Sequence, residues 1–317
     1  MSRIFKRKEG VIKYTPSTQQ RLQLSRNYHV QNYLVKLTVT HTNSTAIFAD
    51  DRLFSLINSI QLVGNGNENI KQIPGNKLYI SNLVFTGQEA LTDIKTADGT
   101  GLVSYVYGII NLSLPKTVRP QDTILNTGIF QSLDLNVEWG SSANLGTGIT
   151  VTSADLTVYS NQLVNYKRNV GETIKYFEET SLVEEVTATT TQMTINLPVN
   201  KLYKSLNITS VLGNKRVNTI INSIKVKSGT TVIVEWDAQA LQDYNIFNYN
   251  IHNSGDFTGI YVVDFTERGR LSDVLNTMQG SGFNTLELVL DVTKQTGGTN
   301  FVNVYPDTLK DTTITEQ

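Results

Sequence analysis

The stretch Ile57-Asn58-Ser59-Ile60 recurs 164 positions later as Ile221-Asn222-Ser223-Ile224, and both copies open an apolar, strand-like run that ends in a glycine turn. Further matches follow in the same order. Leu78 and Asn82-Leu83-Val84 correspond to Leu241 and Asn245-Ile246-Phe247, 163 positions on. Val106-Tyr107 corresponds to Ile260-Tyr261, 154 on, and Phe130-Gln131-Ser132-Leu133-Asp134-Leu135 to Phe283-Asn284-Thr285-Leu286-Glu287-Leu288, 153 on. Thr157-Val158-Tyr159, followed by Leu163, matches Asn303-Val304-Tyr305, followed by Leu309, 146 on. The offset only falls, and it falls in loop-like segments, 88–102 and 140–150, where the first copy has extra residues. Loops absorb length changes that strands do not. Shared strand vocabulary would reproduce single matches but not their order, so the chain reads as an internal duplication.

Each copy is rich in β signals. Residues 33–40, 56–63, 133–139 and 286–292 combine Val, Ile, Leu, Thr and Tyr with polar partners. In Leu133-Asp134-Leu135-Asn136-Val137-Glu138 the apolar side chains fall on one face, because strand side chains alternate with period two. Gly64-Asn65-Gly66, Asp98-Gly99, Ser228-Gly229 and Gly297-Gly298 supply turns. Two short helices interrupt the pattern: one over 76–85, and one over 238–248 capped by Asp237. Repeats of about 130–140 residues with this make-up fit eight-stranded jelly rolls. The expected fold is all-β, two tandem eight-stranded jelly-roll barrels, each with a short helical insertion. The expected boundaries are a basic N-terminal arm over 1–26, a first barrel over 27–164, a linker over 165–170 that includes Lys167, Arg168 and Asn169, a second barrel over 171–309 and a C-terminal tail over 310–317.

Composition excludes several functions. At 17% charged and 39% hydrophobic the chain is globular but charge-poor, so general disorder is excluded. The absence of cysteine removes disulfides, thiolate metal sites and cysteine nucleophiles. No apolar core follows the charged start, and no run approaches the roughly 18 apolar residues of a membrane span, so a secretion signal and a spanning helix are not expected. The net charge of −1 is unevenly spread. Arg3, Lys6, Arg7, Lys8, Lys13, Arg21 and Arg26 stand against Glu9 alone, giving +6 up to residue 26 and −7 beyond it.

This basic segment is the candidate site. It suits anionic lipid head groups, each Lys or Arg contributing about 1 kcal/mol near such a surface, or genome phosphates. It equally suits a solvated tail or an arm exchanged between subunits. Ile4, Phe5, Val11 and Ile12 among the charges favour a surface-lying segment. Other candidates are weaker. His29, His41 and His252 are too scattered for a metal-ligand pair, and Asp50-Asp51 and residues 65–69 lack the spacing of a calcium loop. Glu178-Glu179 and Glu184-Glu185 could be paired carboxylates of a glycoside hydrolase, although neighbours in a strand point to opposite faces. Trp139 and Trp236 could stack on a sugar but more commonly pack in a core. No Gly-x-Ser-x-Gly elbow or phosphate-cradling glycine loop occurs. No catalytic residue, cofactor or metal site is expected.

With two barrels, a short helix in each, a basic start and no cysteine, the chain resembles the double jelly-roll major capsid proteins of tailless icosahedral viruses with an internal membrane. Within them it is most similar to the lipid-containing Flavobacterium phage type. The resemblance covers nearly the whole chain and rests on architecture rather than on a short motif. It implies a non-enzymatic virion protein of a bacteriophage, made in the host cytoplasm. It implies homotrimers that present six similar barrels to a six-fold lattice position. Neighbouring capsomers, penton and minor capsid proteins would be the partners, with membrane lipids reached through the arm and nucleic-acid contact left open. Segments 88–102 and 140–150 become candidate tower or inter-capsomer loops. The alternative is a carbohydrate- or receptor-binding jelly-roll protein, a viral spike or lectin-like module, since the fold hosts such sites too.

Overall fold

The computed structural model describes residues 3–26, 28–113, 123–164, 173–266 and 270–313. The chain divides into two compact units, one running to Glu179 and taking in Asp311 onward, the other Thr180–Lys310. The expected linker, 165–170, and residues 314–317 of the expected tail lie outside the described residues.

The first unit runs β1 (Arg3–Lys13), β2 (Gln19–Gln23), β3 (His29–Phe48), β4 (Ile57–Gly64), β5 (Glu68–Ile73), α1 (Gly75–Thr86), β6 (Thr92–Asp93), β7 (Gly99–Asn111), β8 (Leu125–Asn126), β9 (Leu133–Trp139), β10 (Gly146–Val164) and β11 (Thr173–Glu179). One sheet has the order β1-β10-β3-β7-β6, with β8 beside β3. The other runs β2-β9-β4-β5, antiparallel throughout, and β11 joins β5 in parallel at Glu179 and Lys71. Val35, Leu37 and Val39 of β3 and Leu156 and Val158 of β10 are buried in the first sheet, as are Ile60 and Leu62 of β4 and Leu135 and Val137 of β9 in the second. These are the apolar positions of the alternating runs, which is why the strands form there.

The second unit runs β12 (Leu182–Glu185), β13 (Thr190–Asn196), β14 (Leu202–Leu212), β15 (Lys215–Arg216), β16 (Ile221–Ser228), β17 (Thr231–Asp237), α2 (Ala238–Asn248), β18 (Ile260–Asp264), β19 (Leu275–Asn276), β20 (Glu287–Val292) and β21 (Asn300–Thr313). One sheet pairs β12 with β21, β21 with β14 and β14 with β18; the other has the order β13-β20-β16-β17. Tyr203, Leu206, Ile208, Ile224, Val226, Leu288, Leu290, Val302 and Val304 form its core.

The two pairing schemes are the same. In each, eight principal strands form two four-stranded sheets with jelly-roll connections, and a helix follows the fifth. The repeated tetrapeptide opens β4 and β16, eight-residue strands whose burial agrees at the first seven positions. Asp237 accepts a hydrogen bond from the Ala240 amide at 3.0 Å, the expected cap of α2.

Three expectations change. First, the segment over 1–26 is not an appended arm: β1 and β2 are the first strand of each sheet, so the barrel begins at Arg3 and not at residue 27. Second, segments 88–102 and 140–150 are only partly loops. Residues 99–102 and 146–150 lengthen β7 and β10 against a 20-residue β3. Third, the Val106-Tyr107 match identified the right strands in the wrong register. Gly108 pairs with Val35 and Tyr261 with Ile208, and those partners face Val158 and Val304. Gly108, not Tyr107, therefore corresponds to Tyr261, at the spacing already found for β9 and β20. Tyr261 is a core side chain; at Gly108 a Cβ would sit 2.7 Å from the Phe54 ring, so Phe54 crowds the position where the second unit places its own aromatic ring.

Candidate assembly surface

β1 lies at the end of its sheet, hydrogen-bonded as a strand to β10. Arg3 opens it, Lys6, Arg7, Lys8 and Lys13 are exposed along it, and Ile4 and Phe5 are 59% and 50% exposed. The register with β10 slips between Lys8 and Gly10, so Glu9 is the extra residue of a bulge. Its carboxylate accepts hydrogen bonds from the Ser160 hydroxyl, the Gln162 amide at 3.1 Å and the Ser25 backbone amide at 2.9 Å. The one acid of the segment is thereby turned into the sheet, and the cations stay outside. Beneath it Tyr33 is fully buried, and burial with the Glu9 charge raises its phenol well above the ordinary range.

The remaining two basic residues do different work. Arg21 on β2 reaches Asp134 Oδ2 on β9 at 2.8 Å, and Arg26 donates to the Phe130 carbonyl at 2.9 Å. They fasten β2 and the residues after it to β9 and the residues before it. The seven predicted residues thus divide into a group along β1 and a pair that holds β2 and its exit against β9 and its entry.

The alternative sites do not assemble. Glu178 and Glu179 are buried at the end of β11, where Glu179 meets Lys71 at 2.7 Å and Lys77 at 3.7 Å, whereas Glu184 and Glu185 are exposed on β12 of the other unit. Trp139 is fully buried, edge-on to Tyr14, and Trp236 stacks on Tyr244 at 5.5 Å. His41 is buried between Asn43 at 2.7 Å and Ser104 at 2.8 Å. Among the described residues no group of three or more acids and histidines is placed to hold a metal ion, and no helix is long and apolar enough to cross a membrane. A cleft of about 780 Å³ in the second unit is lined by Ile233, Phe265, Leu275 and Phe283 with Asp264 at its wall. Asp264 is already engaged: it accepts from Lys204 at 2.9 Å, from Tyr249 at 3.0 Å and from Thr266.

Sequence reasoning missed β12. Glu184 and Glu185 read as a carboxylate pair, yet their strand stands beside β21 as β1 stands beside β10. By its pairing β12 corresponds to residues 10–13 of β1, where only Val11 and Val183 agree, so the repeat carried no sequence signal for it.

No family model and no curated protein matches the chain in sequence. Solved structures do. The STIV MCP superposes with a TM-score of 0.75 over 96% of each chain at 16% identity. The fold is the double jelly roll. The PBCV-1 virus capsid matches this double jelly roll at a TM-score of 0.69 and 12% identity, covering 100% of this chain and 95% of that one. The major capsid protein P2 from Bacteriophage PM2 does so at 0.61 and 12%, covering 97% and 98%. Coverage is nearly complete on both sides, so the match to the double jelly roll takes in both units.

Proposed function

We propose that this protein is the major capsid protein of an icosahedral virus, a non-enzymatic subunit that self-assembles as trimers into the virion shell. The observation that carries this is the pair of barrels with one strand-pairing scheme in a single chain, matched from end to end by capsid proteins. Three such chains present six similar barrels, which is what a six-fold lattice position requires of a trimer. Its partners are then its own copies, with penton and minor capsid proteins closing the shell. Electron microscopy and light scattering of the purified full chain test this. Trimers or closed shells are expected; a monomer at every concentration, bound instead to glycans, would favour the carbohydrate-binding alternative.

A finer reading sets the shell over an internal membrane, as in the lipid-containing Flavobacterium phage type. Exposed Ile4 and Phe5 beside Lys6, Arg7 and Lys8 support an anionic lipid surface as one partner of β1. Genome phosphates would be met by the same cations with a steep salt dependence.

A further inference from the structure

We propose that the exposed edge of β1 binds the exposed edge of β12 in a second copy of this chain, basic strand to acidic strand, so that copies join head to tail. The proposal rests on the self-assembly reading and names the contact that would build it. β1 and β12 are the same strand of the duplicated barrel, each paired to the corresponding neighbour, β10 or β21. Their charges are opposite. β1 exposes Lys6, Arg7, Lys8 and Lys13; β12 exposes Glu184 and Glu185. Among the described residues none of these six side chains has an ion-pair partner.

Each edge also carries apolar side chains in the open: Ile4 and Phe5 on β1, and Val183, 58% exposed, on β12. An end strand offers unsatisfied backbone groups and invites another strand. Four residues of β12 provide roughly 13 Å of such edge at about 3.3 Å per residue. Like edges would repel, β1 against β1 and β12 against β12, so a two-fold dimer through either is disfavoured. A contact between unlike edges is heterologous and forms a ring where the rotation closes. Complementary charge would also steer the encounter and reject wrong pairings. An anionic bilayer would account for β1 alone and would leave the acidic, apolar-flanked β12 without a role.

The test uses the full chain in sedimentation velocity at low and high salt. Lys6→Glu/Arg7→Glu/Lys8→Glu and Glu184→Lys/Glu185→Lys are each expected to weaken self-association at least tenfold. The chain carrying both sets is expected to recover to within a few-fold of the original. All five side chains are exposed, so unchanged circular dichroism and melting should accompany each variant. The proposal is overturned if either reversal leaves association unchanged, or if the combined chain does not recover. Loss of binding to phosphatidylserine vesicles on reversing β1, with association intact, would overturn it in favour of lipid. An original chain that never associates would overturn the self-assembly reading as well, whereas a charge-insensitive oligomer would sink this contact alone.

Discussion

Asp264 shows how one buried carboxylate makes the second unit sensitive to acid. Burial pushes its carboxyl upward, but the Lys204 ammonium at 2.9 Å and the hydrogen bonds from Thr266 outweigh it, and the net result lies below the ordinary aspartate value. A carboxyl depressed in the folded state stabilises the fold fully above its unfolded value of about 3.9, and that contribution is lost as pH falls through the folded value. Asp264→Asn is therefore expected to lower stability at pH 7 by about 3 kcal/mol, because Lys204 keeps its buried charge. It should also flatten the decline below about pH 4, as urea titrations across pH would report. The first unit has a deeper pair. Lys71 is fully buried, 2.7 Å from Glu179 and 3.9 Å above the Phe177 ring. Lys71→Met keeps Lys77 within 3.7 Å of the carboxylate, while Glu179→Gln removes the charge that both lysines face. Each should cost about 3–5 kcal/mol, the glutamine more, measured by thermal or urea unfolding.

At the scale of elements, β1 separates two ideas that the composition alone confounds. A basic tail can be deleted without harm; the first strand of a barrel cannot. Deleting residues 2–13 would remove the partner of β10 along Asp155–Val164 and the Glu9 contacts to Ser160, Gln162 and Ser25. The expected outcome is a chain that loses cooperative melting or aggregates through the newly bared edge. An unchanged melting curve would restore the tail. The sequence hid this strand because residues 4–8 are exposed on both faces, so no alternation marks them. β3 was hidden differently. Its extension past Thr40 buries His41 and Asn43, polar residues that hydrogen-bond to Ser104, Lys95 and Ala97. A pattern search for apolar alternation stops where the buried positions turn polar. The bounds of α2 were legible, since Asp237 is a local cap signal, but its buried face was not: Leu241 packs inward with Ala238, Gln242 and Asn245, while Phe247 is 83% exposed.

At the scale of the whole molecule, the two copies of one barrel differ in what their first strands present to the outside. Their cores keep the spacing of Ile57–Ile60 and Ile221–Ile224, because a one-residue slip would turn a strand's apolar face to water. Their first strands differ in length and in charge, 11 residues and basic against four and acidic. Surfaces tolerate such change, and an assembling subunit has reason to use it, since unlike edges allow rings where like edges give only pairs.

The amino-acid sequence by itself determined the number of barrels, the strands of their cores and the two helices. Those features rest on short-range periodicity and on a repeat that survives in order. Only the tertiary structure decided that Arg3–Lys13 is a strand of the first barrel, that Arg21 and Arg26 meet Asp134 and the Phe130 carbonyl, and that Gly108 rather than Tyr107 faces inward with Tyr261. It also decided that the cations of β1 and the acids of β12 occupy corresponding edges. Each of these depends on which residues lie opposite one another across a sheet, a long-range pairing that local composition does not encode.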